Sequence, residues 1–160
     1  MKTIQAPSFE PVEYSKVVFL AGGISNCPNW QSDVLDKLRK YDVITNSPVT
    51  ICNPRRDNFP TAKAEDSALQ IQWEHTYLRM SNIIFFWFPS ETLCPITLFE
   101  YGKMLVESRH RNLELIVGCH PDYKLKFDVQ YQTFLDNPHI KVYDNLTSAI
   151  TKLIQVIKKS

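Results

Sequence analysis

Short apolar runs alternate with amphipathic segments along this chain, and this alternation constrains the fold more than any other feature. Five runs rich in β-branched and aromatic residues are too short for buried helices, and we expect them to form strands. They are residues 16–23, 49–54, 81–88, 113–118 and 139–143. The run SNIIFFWF is apolar at nearly every position, which predicts a strand at the centre of the sheet.

Helices are predicted between most of these strands. Apolar residues recur at three- and four-residue steps in residues 30–41, 61–80, 97–111 and 146–157. Because right-handed crossovers place helices on both faces of a parallel sheet, the predicted fold is α/β, a flavodoxin- or Rossmann-like three-layer sandwich with about five mainly parallel strands. Residues 1–15 show no sustained periodicity and are predicted as an extended N-terminal arm, with the domain in residues 16–160.

Composition argues against several classes of function. Eighteen Lys and Arg balance 17 Asp and Glu, so nothing favours a nucleic-acid polymer or a membrane surface as partner. The cysteines form no C-x-x-C pair and the histidines have no metal-ligand spacing, so we expect no metal and no other cofactor. No stretch has the length of a membrane span or the apolar core of a signal peptide, which predicts a cytoplasmic protein.

The ends of the predicted strands carry candidate binding residues, because ligands of open α/β sheets bind beyond the carboxyl ends of the strands. Gly22 and Gly23 follow the first strand and could bring backbone amides close to a sugar or phosphate. A tight turn with positive φ explains them equally well. Arg55, Arg56 and Asp57 follow the second strand and could hold a phosphate or form an ordinary charged turn.

Two glutamates are the main catalytic candidates. Glu100 is predicted in the first turn of the helix after the central strand, where the helix dipole favours an ionised carboxylate that can attack carbon. Thr97 and Glu100 also have the T-x-x-E spacing of a capping box, in which the glutamate only reaches back to the cap amide. Glu74 shares a helix flank with Gln70 and Tyr77, and it could reach the cleft or remain on the surface.

Aromatic and sulfur side chains near the strand ends are weaker candidates. Trp73 and Trp87 could stack on a nucleobase, although aromatic residues at strand and helix spacing usually belong to the core. Cys94 lies in the loop before Glu100, but no G-x-S-x-G elbow surrounds it. A serine or cysteine hydrolase is therefore not indicated.

Several fragments together resemble the nucleoside 2-deoxyribosyltransferase superfamily, especially its diverged deoxyribosyltransferase-like branch. The resemblance spans residues 17–120. FLAGGI resembles the first strand and its glycine turn, NPRR the end of the second strand, and QWE with NIIFFWF the helix carboxylate and the central strand. ITLFEYGKML resembles the family segment in which a helix-borne glutamate precedes a glycine by two residues, and that glutamate corresponds to Glu100.

This resemblance implies that Glu100 attacks the anomeric carbon of a 2-deoxynucleoside while Glu74 helps to protonate the departing base. Phe19 stands where many members have a tyrosine, and Cys94 where typical transferases have an aspartate that engages the base. The combined candidate substrate-binding residues are Phe19, Gly22, Gly23, Arg55, Arg56, Asp57, Trp73, Trp87, Cys94 and Thr97.

Three functions stay open on this basis. The chain could exchange or hydrolyse the base of a nucleoside, it could hydrolyse a nucleotide held by Arg55 and Arg56, or it could bind such a ligand without catalysis, as the departures at Phe19 and Cys94 suggest. A scaffold in which Glu100 only caps its helix is a further alternative. The resemblance also implies a homo-oligomer in which residues 120–137 of a neighbouring copy complete the pocket.

Overall fold

The computed structural model describes residues 1–40, 48–57 and 63–159. Six strands in these ranges form one sheet in which every neighbouring pair is parallel. The strands are β1 (Lys2–Gln5), β2 (Lys16–Gly22), β3 (Val49–Asn53), β4 (Ile83–Phe88), β5 (Glu114–Cys119) and β6 (Val142–Tyr143). Their order across the sheet is β1-β3-β2-β4-β5-β6.

Helices cover both faces of this sheet. Those in the described residues are α1 (Trp30–Lys40), α2 (Ala64–Met80), α3 (Pro95–Glu107), α4 (Lys126–Asp136) and α5 (Leu146–Lys159). Buried side chains of α2, α3 and α4 belong to one hydrophobic core, and those of α1 and α5 belong to a second core. The predicted α/β three-layer sandwich with a parallel sheet is therefore confirmed.

Strand β4 occupies the middle of the sheet, as its continuous apolar sequence predicts. It pairs with β2 on one side and β5 on the other, and all of its residues are buried. Alternate side chains enter opposite cores, with Phe86 and Phe88 facing the α2–α4 side and Phe85 and Trp87 facing the α1–α5 side. Burial on both faces explains why this strand is the clearest in the sequence.

The first fifteen residues differ from the expected extended arm. Strand β1 pairs with β3 at the edge of the sheet, and its Ile4 is fully buried in the core that α2–α4 cover. The chain then runs along α2, where the Trp73 Nε1–H donates to the Ser8 carbonyl at 2.8 Å. A strand with a single buried side chain has too little apolar pattern to be recognised from sequence.

Helix α4 lies within the stretch for which the sequence predicts no regular structure. Val129 and Thr133 are its buried residues, whereas Phe127 and Phe134 are exposed, so the apolar side chains do not form one inward stripe. The predicted end of the first helix at residue 41 and start of the second at residue 61 lie outside the described residues. Among the helices that are described, none has the length and apolar character needed to cross a bilayer.

Candidate active site

A cavity of about 350 Å³ opens at the carboxyl ends of β2 and β3. One wall is the glycine turn at the end of β2, residues 22–25, and a second wall, in contact with it, is the start of α3 with the loop before it. The inner flank of α2 closes a third side, and Phe19 and Ala21 of β2 lie at the base. This is the sheet edge at which ligands of open α/β folds bind.

Glu100 lines this cavity from the second turn of α3, not from the first turn as predicted. The helix begins at Pro95 with Cys94 as its N-cap, and its first turn contains no acidic residue. Proline suits the first helical position, because an N–H at that position would have no hydrogen-bond acceptor within the helix. Thr97 is therefore inside the helix, and the capping-box interpretation of Glu100 is wrong.

Burial governs the protonation of Glu100. Desolvation of the half-buried carboxyl, reinforced by the nearby charge of Glu74 and only partly opposed by Lys103, raises the pKa of Glu100 to about 8. The expectation that the helix dipole keeps Glu100 ionised is therefore wrong. The dipole acts mainly within the first turn, and Glu100 lies beyond it.

Glu74 enters the same cavity from α2, so it is not an ordinary surface carboxylate. Gln70, one helical turn earlier, donates its Nε2–H to Glu74 Oε1 at 2.8 Å and to the Pro54 carbonyl at 2.8 Å. Burial raises the pKa of Glu74, and the hydrogen bond from Gln70 opposes that shift. Gln70 is not among the predicted site residues, although its position on the same helix flank as Glu74 is visible in the sequence.

The glycines are required by close packing and not by backbone conformation. Neither Gly22 nor Gly23 has a positive φ, which corrects the turn interpretation. A Cβ built on Gly23 would lie 2.9 Å from Cys94 Sγ, and one on Gly22 would lie 2.4 Å from the Trp87 carbonyl oxygen. The turn therefore sits directly against the N-terminus of α3 and against β4.

Cys94 is a wall residue with an unreactive thiol. Its backbone adopts a left-handed conformation, with φ 48° and ψ 54°, at the N-cap of α3. Burial raises the pKa of the thiol to about 12, so it is neutral near pH 7 and is a poor nucleophile. Thr97, one turn further on, is also buried and lines the cavity.

The two tryptophans proposed to stack on a base belong to the cores. Trp73 has no exposed surface and packs behind Phe19, with ring centroids 5.8 Å apart. Trp87 lies on the opposite face of the sheet, in the core with α1 and α5. Among the described residues that line the cavity, Phe19 is the aromatic one.

The charged residues after β3 do not line the described part of the cavity. Asp57 is exposed, and Arg55 and Arg56 are partly buried in the adjacent loop. The Arg55 guanidinium donates from Nε to Gln31 Oε1 at 2.8 Å. Across residues 1–40, 48–57 and 63–159, no cluster of three or more His, Cys, Asp or Glu side chains could hold a metal ion.

Fold and site together define an α/β protein with two carboxyl groups in one cavity at the carboxyl edge of a parallel sheet. The family model for nucleoside 2-deoxyribosyltransferase-like proteins matches residues 15–123, which is more than half of the chain. The chain therefore belongs to the nucleoside 2-deoxyribosyltransferase-like family, and the sequence resemblance is confirmed. Family membership indicates an enzyme that binds a nucleoside-like small molecule. No curated protein matches the chain.

Proposed function

We propose that this protein cleaves the N-glycosidic bond of a nucleoside, with Glu100 as the nucleophile and Glu74 as the proton donor. The observation that carries the proposal is the presence of both carboxyl groups in one cavity at the sheet edge. Membership of the family supports the substrate class. The shift of the Glu100 pKa to about 8 supports a functional role, because such shifts cluster at active sites.

The proposed reaction has two steps. The Glu100 carboxylate attacks C1′ of the sugar, the C1′–N bond breaks, and its electron pair goes to the base, which takes a proton from Glu74. A second base or a water molecule then attacks C1′ and releases the Glu100 carboxylate, while Glu74 recovers a proton from the acceptor. Two inversions leave the configuration at C1′ unchanged.

The reaction requires a charge on Glu100 and a proton on Glu74. Burial raises the pKa of Glu74, which favours its protonated form, and the hydrogen bond from the amide of Gln70 opposes that shift. A base nitrogen placed against Glu74 favours the protonated carboxyl there, since only that form can donate to a lone pair. Binding of the base therefore adds to the effect of burial in keeping a proton on Glu74.

Lining residues favour an uncharged nucleoside over its 5′-monophosphate. None of the described residues that line the cavity is a lysine or an arginine, and Glu74 and Glu100 would repel a phosphate. Apolar contact is supplied by Phe19, Ile24 and Ile96. The volume of about 350 Å³ lies at the small end of the range for small-molecule sites, roughly 300–1,000 Å³.

A second copy of the chain is proposed as a further partner. The exposed large hydrophobic side chains of the described residues include none from α1 or α5, so the apolar surface lies on the side of α2–α4. Ile71, Ile96 and Phe99 are each more than 60% exposed around a groove of about 790 Å³ between α2 and α3. Glu74 and Glu100 line this groove as well, so a copy seated there would border the active cavity.

Base release tests the proposed catalysis. Deoxy- and ribonucleosides and their 5′-monophosphates are incubated with the protein, with and without a competing free base, and the products are separated by chromatography. We expect Glu100→Ala to lose at least about a thousandfold in kcat, as removal of a catalytic nucleophile does. Glu65→Gln, an exposed glutamate in the first turn of α2, is the matched control and retains activity.

Outcomes of this assay separate the alternatives. Exchange of the base by the wild type indicates a transferase, and release without exchange indicates a hydrolase. Preference for the 5′-monophosphates would overturn the choice of an uncharged substrate. If no compound turns over while one of the compounds still raises the melting temperature, the proposal of catalysis is wrong. The protein would then be a binding module without catalytic activity.

A further inference from the structure

Arg55 lies behind the glycine turn that forms one wall of the cavity. Its guanidinium donates from Nε to Gln31 Oε1 at 2.8 Å and from Nη2 to the Pro28 carbonyl at 2.9 Å. The same Nη2 is 3.4 Å from the Gly23 carbonyl oxygen and 3.5 Å from Cys27 Sγ. One side chain thus contacts both ends of the segment between β2 and α1.

The carbonyl of Gly23 is the centre of this cluster. It accepts hydrogen bonds from Trp30 Nε1 at 2.8 Å, from Gln31 Nε2 at 3.4 Å and from Arg55 Nη2 at 3.4 Å. Gln31 has no exposed surface, and its two amide atoms link Arg55 to Gly23. The outer side of the turn is therefore held by polar contacts while its inner side faces the cavity.

Arg55 is itself anchored to the end of the sheet. Its backbone N–H donates to Asn53 Oδ1 at 3.1 Å, and its carbonyl accepts from Gln5 Nε2 at 3.0 Å. Arg55 thereby connects β1 and β3 with the turn that follows β2. Lysine cannot reproduce this connection, because its ammonium lacks the planar fork that reaches two acceptors at fixed angles.

We infer that Arg55 is a positioning residue that fixes the glycine turn against the bound sugar, and that it does not bind a phosphate of the substrate. Gly23 packs closely on α3, since a Cβ on it would lie 2.9 Å from Cys94 Sγ. Loss of the Arg55 contacts releases the outer side of the turn, so the wall that faces the cavity is no longer fixed in one position. The expected effect on nucleoside kinetics rests on the proposed function. The expected effect on the position of the turn rests on the hydrogen bonds alone.

Kinetics of Arg55 variants test the functional part. We expect Arg55→Met to raise KM for the nucleoside about tenfold with a smaller change in kcat, and Arg55→Lys to recover only part of that loss. Nucleoside and 5′-monophosphate should lose kcat/KM by the same factor. Loss confined to the 5′-monophosphate would overturn the inference in favour of phosphate binding. Arg39→Met removes an exposed arginine paired with Asp36 and serves as the control.

Hydrogen exchange tests the structural part without any turnover. Amides of residues 22–27 should exchange faster in Arg55→Met than in the wild type, while amides of β4 remain protected in both. Unchanged exchange in the turn overturns the inference whatever the activity, and absence of activity in the wild type overturns only the proposed function. If Arg55→Met does not fold, both the kinetics and the hydrogen exchange are measured on Arg55→Lys, which keeps the charge.

Discussion

Burial of Glu100 couples the protonation of one side chain to the stability of the whole protein. Its pKa is about 8 in the folded chain against a usual value of 4.5, mainly because the ionised form is desolvated. Between these two pH values the unfolded chain loses the proton while the folded chain keeps it. The free energy of unfolding therefore falls as pH rises through this window.

Glu100→Gln should remove this dependence. Glutamine carries no titrating proton, so we expect the variant to be more stable than the wild type near pH 9, by on the order of 1–2 kcal/mol, with a smaller difference near pH 5. Urea unfolding at the two pH values measures the change. A difference of the same size at both would show that the effect comes from packing and not from ionisation.

Side-chain partners limit what can be inferred about single residues from the sequence. The position of Glu100 beyond a strand end was predictable, because strand ends are visible as the limits of apolar runs. Glu74 lies in the middle of a helix, and the sequence left open whether it reaches the cleft or the surface. Two hydrogen bonds could not be predicted, because both depend on side-chain geometry. They are the bond from Gln70 to Glu74 and the bond from Arg55 to Gln31 behind the glycine turn. Trp73 was a candidate for substrate binding because its ring could stack on a nucleobase. In the structure its ring is buried behind Phe19.

Among the helices, α2 is held by the segment that follows β1. The Tyr77 hydroxyl accepts from the Glu10 N–H at 2.7 Å and donates to the Glu10 carbonyl at 2.7 Å. Trp73 of the same helix donates to Ser8. Trp73 and Tyr77 flank Glu74 in sequence, so residues 8–10 help to set the position of the helix that carries the proposed proton donor.

Tyr77→Phe should loosen this attachment. Removal of the hydroxyl leaves two backbone groups of Glu10 without their partner, and we expect a loss of about 1–3 kcal/mol in the free energy of unfolding. Tyr131→Phe, on the exposed face of α4, is the control and should be neutral. Urea denaturation measures both. Equal stability of Tyr77→Phe and wild type would mean that the hydrogen bonds between Tyr77 and Glu10 contribute nothing to the attachment of α2.

Element boundaries were predictable where apolar patterns are strong. Strands β2 to β5 correspond to continuous apolar runs, because both faces of a central parallel strand are buried. Helix α3 begins earlier than the T-x-x-E spacing indicates, since Pro95 and the left-handed Cys94 define its start. Helix α4 and strand β1 were missed because few of their side chains are buried.

On the scale of the whole molecule, the proposed dimer rests on the exposed apolar side chains that border the groove between α2 and α3. Phe99→Ser, in the groove between α2 and α3, should raise the dissociation constant of the proposed dimer about tenfold or more. Sedimentation equilibrium measures this, with Gln155→Ser on the exposed face of α5, on the other side of the sheet, as the control. A wild type that stays monomeric at all accessible concentrations would contradict the dimer proposal.

The parallel sheet also has a consequence for how the chain folds. Each pair of neighbouring strands is parallel, so no pair is joined by a hairpin and every pairing closes a long loop. Lys2 pairs with Thr50, so β1 has no partner during synthesis until β3 has been made. Because such non-local contacts must wait for loop closure, folding should be slow for a chain of this size, and β1 stays unpaired while residues 6–48 are synthesised.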